Sequence, residues 1–167
     1  MEIRRVQVED AKQYRAFRLE ALKNASQAFG ASYEEEMNDS IDKHKSRFSS
    51  EDSFTFGAFN QEKLIGVVTL VPNKLIKIQH KANILAMYVT PSQRGEGVGA
   101  QLMEKAIEQA KRLPSIEQVL LTVVESNLPA KKLYSSLGFV PFGLEKNAMK
   151  VNGEYVDEEY MVLFLGE

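Results

Sequence analysis

Three glycines and an arginine in one short segment are the residues of this sequence best suited to bind a phosphate. The segment 89–113 has the sequence VTPSQRGEGVGAQLMEKAIEQAKRL. Glycines at 95, 97 and 99 allow positive φ angles and let the backbone approach a ligand closely. The amphipathic helix that follows would present unpaired N–H groups and the positive end of its dipole, and Arg94 adds a fixed positive charge. The segment therefore predicts a site for a phosphate-bearing ligand.

Two common phosphate-binding loops do not fit this segment. The string G-x-x-x-x-G-K-[ST] of the P-loop is absent from the sequence. The dinucleotide pattern G-x-G-x-x-G/A is matched by Gly95, Gly97 and Ala100, but five residues separate the strand end at Val89 from Gly95. The acidic residue expected roughly 20 positions later would fall in the apolar run 119–124. The context therefore disfavours a nicotinamide dinucleotide site.

Two further motifs occur together. The pattern R/Q-x-x-G-x-G/A is filled by Arg94, Gly97 and Gly99. The pattern N-x-x-A-x-x-L-Y-x-x-L-G-F is filled, within ESNLPAKKLYSSLGFV at 125–140, by Asn127, Ala130, Leu133, Tyr134, Leu137, Gly138 and Phe139. In this order, and one helix plus one strand apart, the motifs resemble those of the GCN5-related N-acetyltransferases (GNAT). The resemblance covers the whole chain in its order of elements, although the N-terminal third is similar in topology only.

The resemblance implies a site for acetyl-CoA. The cofactor's pantetheine arm would lie in a V-shaped gap between the strands ending at Val89 and Val124. The backbone of Met87, Tyr88 and Val89 would face that arm, and one of these N–H groups would polarise the thioester carbonyl. The pyrophosphate would be held by the amides of Arg94, Gly95, Glu96, Gly97, Val98, Gly99 and Ala100. Ala130 would also contact the cofactor, and Asn127 would bind the arm, cap the following helix, or do both.

Tyr134 is the residue expected to carry the chemistry. In the resembling family an amine attacks the thioester directly, and the leaving thiolate needs a proton. A phenol at the end of the cofactor arm can donate that proton as a general acid. The sequence contains no cysteine, so a covalent acyl-cysteine intermediate is excluded.

The general base is not identified by the sequence. Ribosomal-protein alanine acetyltransferases of the family carry a glutamate five residues before the motif asparagine, and Thr122 occupies that position here. The earlier covered strand 84–89, where some histone-type members place a glutamate, contains none. A water chain, Glu125 at the strand end, and the histidines His44 and His80 are the alternatives.

Two acidic clusters are candidates for binding the acceptor amine. The first follows Tyr33 and begins at Glu34, in the loop between the first helices, where the family builds its acceptor wall. The second begins at Asp157, at the start of the last strand, and Glu125 lies at the mouth of the gap. Carboxylates there would attract a cationic amine. Solvated surface charge is the other explanation.

These residues must be positioned by an alternation of strands and helices. Apolar periodicities predict the order β-α-α-β-β-β-α-β-α-β-β, with hairpin turns near 60–63 and 151–154. One parallel β-α-β crossover lies among hairpins, so the fold class is α/β with a mixed, mostly antiparallel sheet and helices on both faces. The predicted elements are strands at 2–8, 54–58, 64–71, 84–89, 119–124, 139 onward and 155–164, and helices near 11–25, 40–48, 98–113 and 130–137.

Composition limits the classes of protein and partner. A chain of 167 residues with 44% hydrophobic and 26% charged residues is ordinary for one globular domain, and we expect a single domain over 1–167. A net charge of −2 argues against a nucleic-acid partner. No signal peptide or apolar run of ~20 residues is visible, which predicts a cytoplasmic protein with no membrane partner. The absence of cysteine excludes thiolate metal sites, and no metal is expected. The resemblance also suggests a homodimer.

Three functions follow in order of support. The first is an acetyl-CoA-dependent N-acetyltransferase that acts on a primary amine, most simply of a small molecule. The second is a non-catalytic acyl-CoA-binding regulatory module on the same fold. The third, already weakened by the loop length, is a dinucleotide-binding oxidoreductase.

Overall fold

Strands from the whole chain form one sheet in the computed structural model, which describes residues 1–166. The strands are β1 (Glu2–Arg5), β2 (Phe54–Asn60), β3 (Lys63–Pro72), β4 (Lys81–Val89), β5 (Gln118–Val124), β6 (Val140–Val151) and β7 (Glu154–Phe164). Their spatial order is β1-β2-β3-β4-β5-β7-β6. Among the strand pairs of residues 1–166, only β4–β5 is parallel. The predicted mixed, mostly antiparallel sheet is confirmed.

Helices cover both faces of this sheet. They are α1 (Ala11–Asn24), α2 (Tyr33–Glu36), α3 (Ile41–Ser49), α4 (Val98–Arg112) and α5 (Leu128–Ser136). The central strand β3 shows why two layers form, because its side chains alternate between faces. Val67 packs with the residues of α1, whereas Val68 packs with those of α4. No helix in residues 1–166 is long and apolar enough to cross a membrane.

Both predicted hairpin turns are present. Gln61 and Glu62 have φ angles of 49° and 69°, and Asn152 and Gly153 have φ angles of 50° and 81°. Two consecutive residues with positive φ make the turn whose twist matches that of the flanking strands. The first turn joins β2 to β3, and the second joins β6 to β7, so each sets the register of its own hairpin.

The structure differs from the expectation in two connecting segments. Residues 26–37 contain a 3-10 turn, Ser26–Ala28, and the single-turn helix α2, where only an irregular turn was predicted. The helix α2 starts at a capping box, in which the Ser32 and Glu35 side chains each accept a hydrogen bond from the other residue's backbone N–H. Strand β4 begins at Lys81, before the predicted start at residue 84, because residues 81–83 pair with β5.

The core between α4 and the sheet gives a stability prediction. Leu102 on α4 is fully buried, and its side chain lies against Gly66 on β3. Leu102→Ala should lower the free energy of unfolding by about 2–5 kcal/mol, because it removes apolar contacts and leaves a cavity. Urea denaturation followed by circular dichroism measures this loss.

The matched control is Leu144→Ala on β6, where the leucine is 48% exposed. Its expected effect lies within about 0.5 kcal/mol. Equal losses in the two variants would contradict the placement of the core on the α4 face.

Candidate functional site

The two parallel strands at the middle of the sheet separate after a short region of pairing. Strands β4 and β5 pair only between Lys81–Asn83 and Gln118–Leu120. Beyond these residues β4 continues to Val89 and β5 to Val124. The facing backbone groups of the two strands therefore need water or a ligand as a hydrogen-bonding partner. The V-shaped gap expected from the sequence is present at the expected strand ends.

A bulge in β4 bends the strand at this gap. Val67 and Thr69 of β3 pair with Tyr88 and Leu85, so two residues of β4 oppose one residue of β3. One of the two, Ala86, has a φ angle of 56°. A bulge bends its strand and increases the local twist, which turns the end of β4 away from β5.

The glycine loop lies at one end of the gap and is open above its backbone. Gly95 and Gly97 have φ angles of 82° and 81°, which favour glycine. A Cβ atom at Gly95 would meet no atom within 4 Å, and one at Gly97 would meet only the Gln101 side chain, at 3.9 Å. The first hydrogen bond of α4 joins the Gln101 N–H to the Gly97 carbonyl at 3.1 Å. The preceding N–H groups of 98–100 therefore face the loop without an acceptor in the helix.

Gly99 has a different function from the other two loop glycines. A Cβ atom at this position would lie 3.1 Å from Met87 Cε and 3.2 Å from a methyl group of Leu133. Its missing side chain thus lets the start of α4 pack closely against β4 and α5. This contact joins the loop, the gap and the helix α5 into one site.

Arg94 is anchored at the base of the loop. Its Nε donates a hydrogen bond to the Val89 carbonyl at 2.9 Å, and its guanidinium lies 5.4 Å from the centre of the Tyr88 ring. The side chain also lines the cavity described below. Its positive charge is consequently fixed between the strand end and the glycine loop.

The helix α5 is capped at both ends by residues of the second motif. The Asn127 side chain accepts a hydrogen bond from the Ala130 N–H at 3.3 Å, so the helix-capping role of Asn127 is present. At the other end Gly138, with a φ angle of 97°, lets the Phe139 N–H donate to the Tyr134 carbonyl at 3.1 Å. The Phe139 and Tyr134 rings then meet edge to face, with centroids 6.1 Å apart. These contacts fix the direction of Tyr134.

Tyr134 is buried beside the gap and lines the cavity. Desolvation by this burial raises the pKa of its phenol to about 12. The hydroxyl is therefore protonated throughout the neutral range and is available as a proton donor.

One cavity of about 1480 Å³ connects the glycine loop, the gap and the space beneath α1–α3. A cavity of this size is large enough for an extended ligand together with a small second molecule. Of the residues predicted to bind the cofactor, all but one line it: Met87, Tyr88, Val89, Arg94, Gly95, Gly97, Val98, Gly99, Ala100, Asn127, Ala130 and Tyr134. The exception is Glu96, whose side chain is exposed outside the wall.

The structure does not place the four predicted acceptor-binding residues on this cavity. Glu34 and Glu125 are exposed to solvent and do not line the cavity. Tyr33 does not line it either, and its ring lies 5.0 Å from the Lys23 ammonium. Asp157 accepts hydrogen bonds from the Asn147 N–H and the Lys146 ammonium, which lower its pKa. The charge of Asp157 is thus used in a local turn and an ion pair with β6 rather than toward the acceptor.

The two candidate histidine bases also lie outside the cavity wall. His44 is buried among aromatic rings, 5.3 Å from Tyr14 and 6.4 Å from Phe48 between ring centres. Its burial lowers the pKa of the imidazole, so it is neutral in the folded protein. The His80 carbonyl accepts hydrogen bonds from the backbone at the start of β5, a structural role.

Charged side chains also line the cavity. In residues 1–166, besides Arg94, they are Arg18, Glu36, Arg47, Asp52, Lys74 and Glu158. Of these, Glu36 and Glu158 belong to the two predicted acidic clusters. Arg18 and Glu36 form a two-point ion pair, with N–O distances of 2.9 and 3.1 Å, beneath the first helices. Glu158 of β7 faces the cavity from the other side of the gap. Desolvation and the nearby Glu145 carboxylate raise the pKa of Glu158. Its environment depends on strand pairing between distant segments, so the acidic run 157–159 alone could not single it out.

Comparison with known proteins identifies a family. A model described as an acetyltransferase (GNAT) domain matches residues 3–160. The chain is 32% identical over 98 residues to an L-amino acid N-acetyltransferase of Escherichia coli, covering 59% of this chain and 60% of the relative. It is 27% identical over 103 residues to a spermidine N(1)-acetyltransferase of Vibrio cholerae, covering 62% and 58%. The matched segments thus span somewhat less than two thirds of these relatives.

Solved structures share the fold. An acetyltransferase of the GNAT family from Streptococcus pneumoniae superposes with a TM-score of 0.86 at 23% identity, covering 98% of this chain and 99% of that one. An acetyltransferase from Salmonella typhimurium, determined with acetyl-CoA, gives a TM-score of 0.87 at 18% identity and covers 100% and 95%. At these identities the likeness concerns the fold.

Proposed function

This chain belongs to the GNAT acetyltransferase family, and we propose that it transfers the acetyl group of acetyl-CoA directly to a primary amine of a small molecule. The observation that carries the proposal is the arrangement within one cavity. An open glycine loop at a helix start, a gap between two strands and the buried phenol of Tyr134 follow one another along it. Each supplies one requirement of acyl transfer: phosphate binding, donor alignment and a proton for the leaving group.

The loop and the gap suit two parts of coenzyme A, its pyrophosphate and its pantetheine arm. The free amides at 98–100 and the Arg94 charge can bind a pyrophosphate, and the space above Gly95 and Gly97 lets it approach. Amides of a pantetheine arm can pair with the free edge of β4 as an added strand would. The bound thioester supplies an activated acyl group. The backbone at 87–89 then polarises its carbonyl.

Tyr134 acts as the general acid in this proposal. Its high pKa keeps the phenol protonated until the thiolate forms. The same burial disfavours a charged thiolate and raises the pKa of the thiol, so the leaving sulfur can take the proton of the phenol. The edge-to-face contact with Phe139 and the caps of α5 hold the ring in place. Preorganisation of this kind is what makes one donor effective.

The acceptor enters from the side of α1–α3. That end of the cavity is enclosed by Tyr14, Phe29 and the Arg18–Glu36 pair, which favours a small molecule over a folded protein surface. The names of the similar proteins include an amino acid, spermidine and streptothricin as acceptors, all of them small amines. The homodimer, the cytoplasmic location and the absence of a nucleic-acid partner stay predictions.

The reaction itself is tested by thiol release from acetyl-CoA against a panel of amino acids, polyamines, aminoglycosides and N-terminal peptides. We expect turnover with at least one of the small amines. Tight binding of acetyl-CoA with no turnover on any of them would favour a non-catalytic acyl-CoA-binding module instead.

The loop geometry gives a prediction about donor binding. Gly97→Ala should weaken acetyl-CoA binding about tenfold or more, because the added methyl group occupies the open side of the loop and strains a backbone with a φ angle of 81°. Isothermal titration calorimetry measures the Kd.

Gly153→Ala is a matched control. Gly153 has the same φ angle of 81° and no neighbour within 4 Å of an added Cβ, but it lies in the β6–β7 turn, away from the cavity. Both variants should lose similar stability, on the order of 1 kcal/mol, and only Gly97→Ala should lose affinity. Equal Kd values for both variants would remove the loop from the donor site.

Removal of the Tyr134 hydroxyl tests the general acid. Tyr134→Phe should lower kcat by ~10²-fold or more, the scale of a lost general acid, while the Kd for acetyl-CoA changes little. Steady-state thiol release and calorimetry provide the two numbers.

Tyr155→Phe, which removes an exposed hydroxyl on β7, should leave kcat unchanged. Because the pKa of Tyr134 is about 12, its protonation should impose no alkaline fall in rate below about pH 10. Near-normal turnover of Tyr134→Phe would exclude the phenol from the reaction.

A further inference from the structure

Acetylation of an ammonium group requires a proton acceptor as well as a proton donor, because only the neutral amine has a free lone pair. We propose that Glu158 is the general base that takes a proton from the acceptor ammonium, directly or through one water molecule. This inference rests on the proposed acetyltransfer and names the second catalytic residue of the same site.

The register of the sheet places Glu158 on the acceptor side of the gap. Glu158 pairs with Val124 of β5, and directly opposed residues of antiparallel strands project from the same face. Val124 lines a small pocket with Ala25 and Ala28, which follow α1. The preceding residue, Val123, packs instead in the cluster that contains Tyr134 and α4. The proposed base and acid therefore lie on opposite faces of the sheet, with the gap between them.

Such an arrangement suits direct transfer. The thioester carbon lies in the gap, the amine approaches it from the face of Glu158, and the sulfur leaves toward the face of Tyr134.

Diagonal neighbours on paired strands have Cβ atoms about 7–8 Å apart. Glu158 is the diagonal neighbour of Thr122, which pairs with Tyr160. A carboxylate from β7 can thus serve the region where β5 provides none.

Comparison of the cavity carboxylates supports Glu158 over the others. In residues 1–166 three carboxylates line the cavity, namely those of Glu36, Asp52 and Glu158. Glu36 is held by Arg18, and Asp52 lies 2.7 Å from the Lys74 ammonium. No Lys, Arg or His nitrogen in the described part of the chain lies within 4.0 Å of the Glu158 carboxylate. It is the cavity carboxylate that no cation neutralises.

The charges around Glu158 favour its use as a base. Its desolvation and the repulsion by Glu145, which faces it from β6, raise its pKa, and a higher pKa means a stronger proton acceptor. Tyr160 lies on the same face two residues further along β7. The facing β5 residues and the residues after α1 are uncharged. In the described part of the chain, the cationic residues on the cavity wall are Arg18, Arg47, Lys74 and Arg94.

The proposed acetyl transfer conserves protons and electron pairs. Glu158 takes one proton from the ammonium, and the freed lone pair forms the C–N bond. The C–S bond breaks, its electron pair leaves on sulfur, and Tyr134 gives the sulfur a proton. The nitrogen's second proton restores the Tyr134 phenol, and Glu158 releases its proton to solvent. One proton is released overall.

Two substitutions test the role. Glu158→Gln keeps the shape of the side chain and should lower kcat by about 10²-fold or more, with the Kd for acetyl-CoA unchanged. In the wild-type enzyme, kcat/KM should fall toward acid pH as the base becomes protonated. The residual activity of Glu158→Gln should not show this fall. Glu145→Gln removes the like charge and should shift that fall to lower pH, because it lowers the pKa of Glu158. Glu154→Gln, the same change at an exposed position of β7, should alter neither quantity.

A fluorinated analogue of the accepted amine separates catalysis from structure. Its amino group is neutral at the assay pH, so the base has no proton to remove before attack. The deficit of Glu158→Gln should shrink at least tenfold with this acceptor. If Glu158→Gln lost the same factor in kcat with both acceptors, Glu158 would have a structural role. The proposal would also be overturned if Glu158→Gln kept the wild-type kcat or the wild-type fall of kcat/KM toward acid pH. Both outcomes leave wild-type turnover, and hence the proposed function, intact, whereas a silent wild-type enzyme would overturn both.

Discussion

Hydrogen bonding between the two central strands determines how the rest of this molecule is arranged. β4 and β5 share a ladder over residues 81–83 and 118–120 and then separate, although each keeps its outer partner. A buried backbone group without a partner costs on the order of 1–3 kcal/mol, so the gap must contain water or a ligand. A linear molecule that carries amides along its length is the natural complement to such an edge.

The two faces beside the gap are chemically different. On the α4 face, a tightly packed apolar cluster surrounds Tyr134, and its desolvation keeps the phenol protonated. On the α1 face, ionised side chains line the cavity, and most of their charge is cancelled locally, as in the Arg18–Glu36 pair. Among the carboxylates of the described cavity wall, Glu158 is the one with no cation within 4.0 Å. The sheet therefore keeps the proposed proton donor, Tyr134, and the proposed proton acceptor, Glu158, in separate environments.

The parts of the site that depend on local sequence could be predicted. The glycine loop with the start of α4, and the capped helix α5, are each encoded by a short motif, so the resemblance of these motifs to those of the family locates Gly97 and Tyr134 in the sequence. The helix α2 was missed although Ser32 and Glu35 have the spacing of a capping box.

The acidic residues were harder to interpret, because their environment is set by distant partners. Asp157 is bound by residues of β6, and Glu36 by Arg18 on α1, so neither carries a free charge into the cavity. Glu158 differs from its neighbours in the sequence only through pairing with Val124 and Glu145. Such pairing follows from the register of β6, β7 and β5, which no short motif encodes.

The separate apolar clusters on the two faces also bear on evolution. Mutations under α1–α3 can change the acceptor while the donor machinery packed around α4 is inherited intact, so one scaffold can diversify its chemistry without losing its fold.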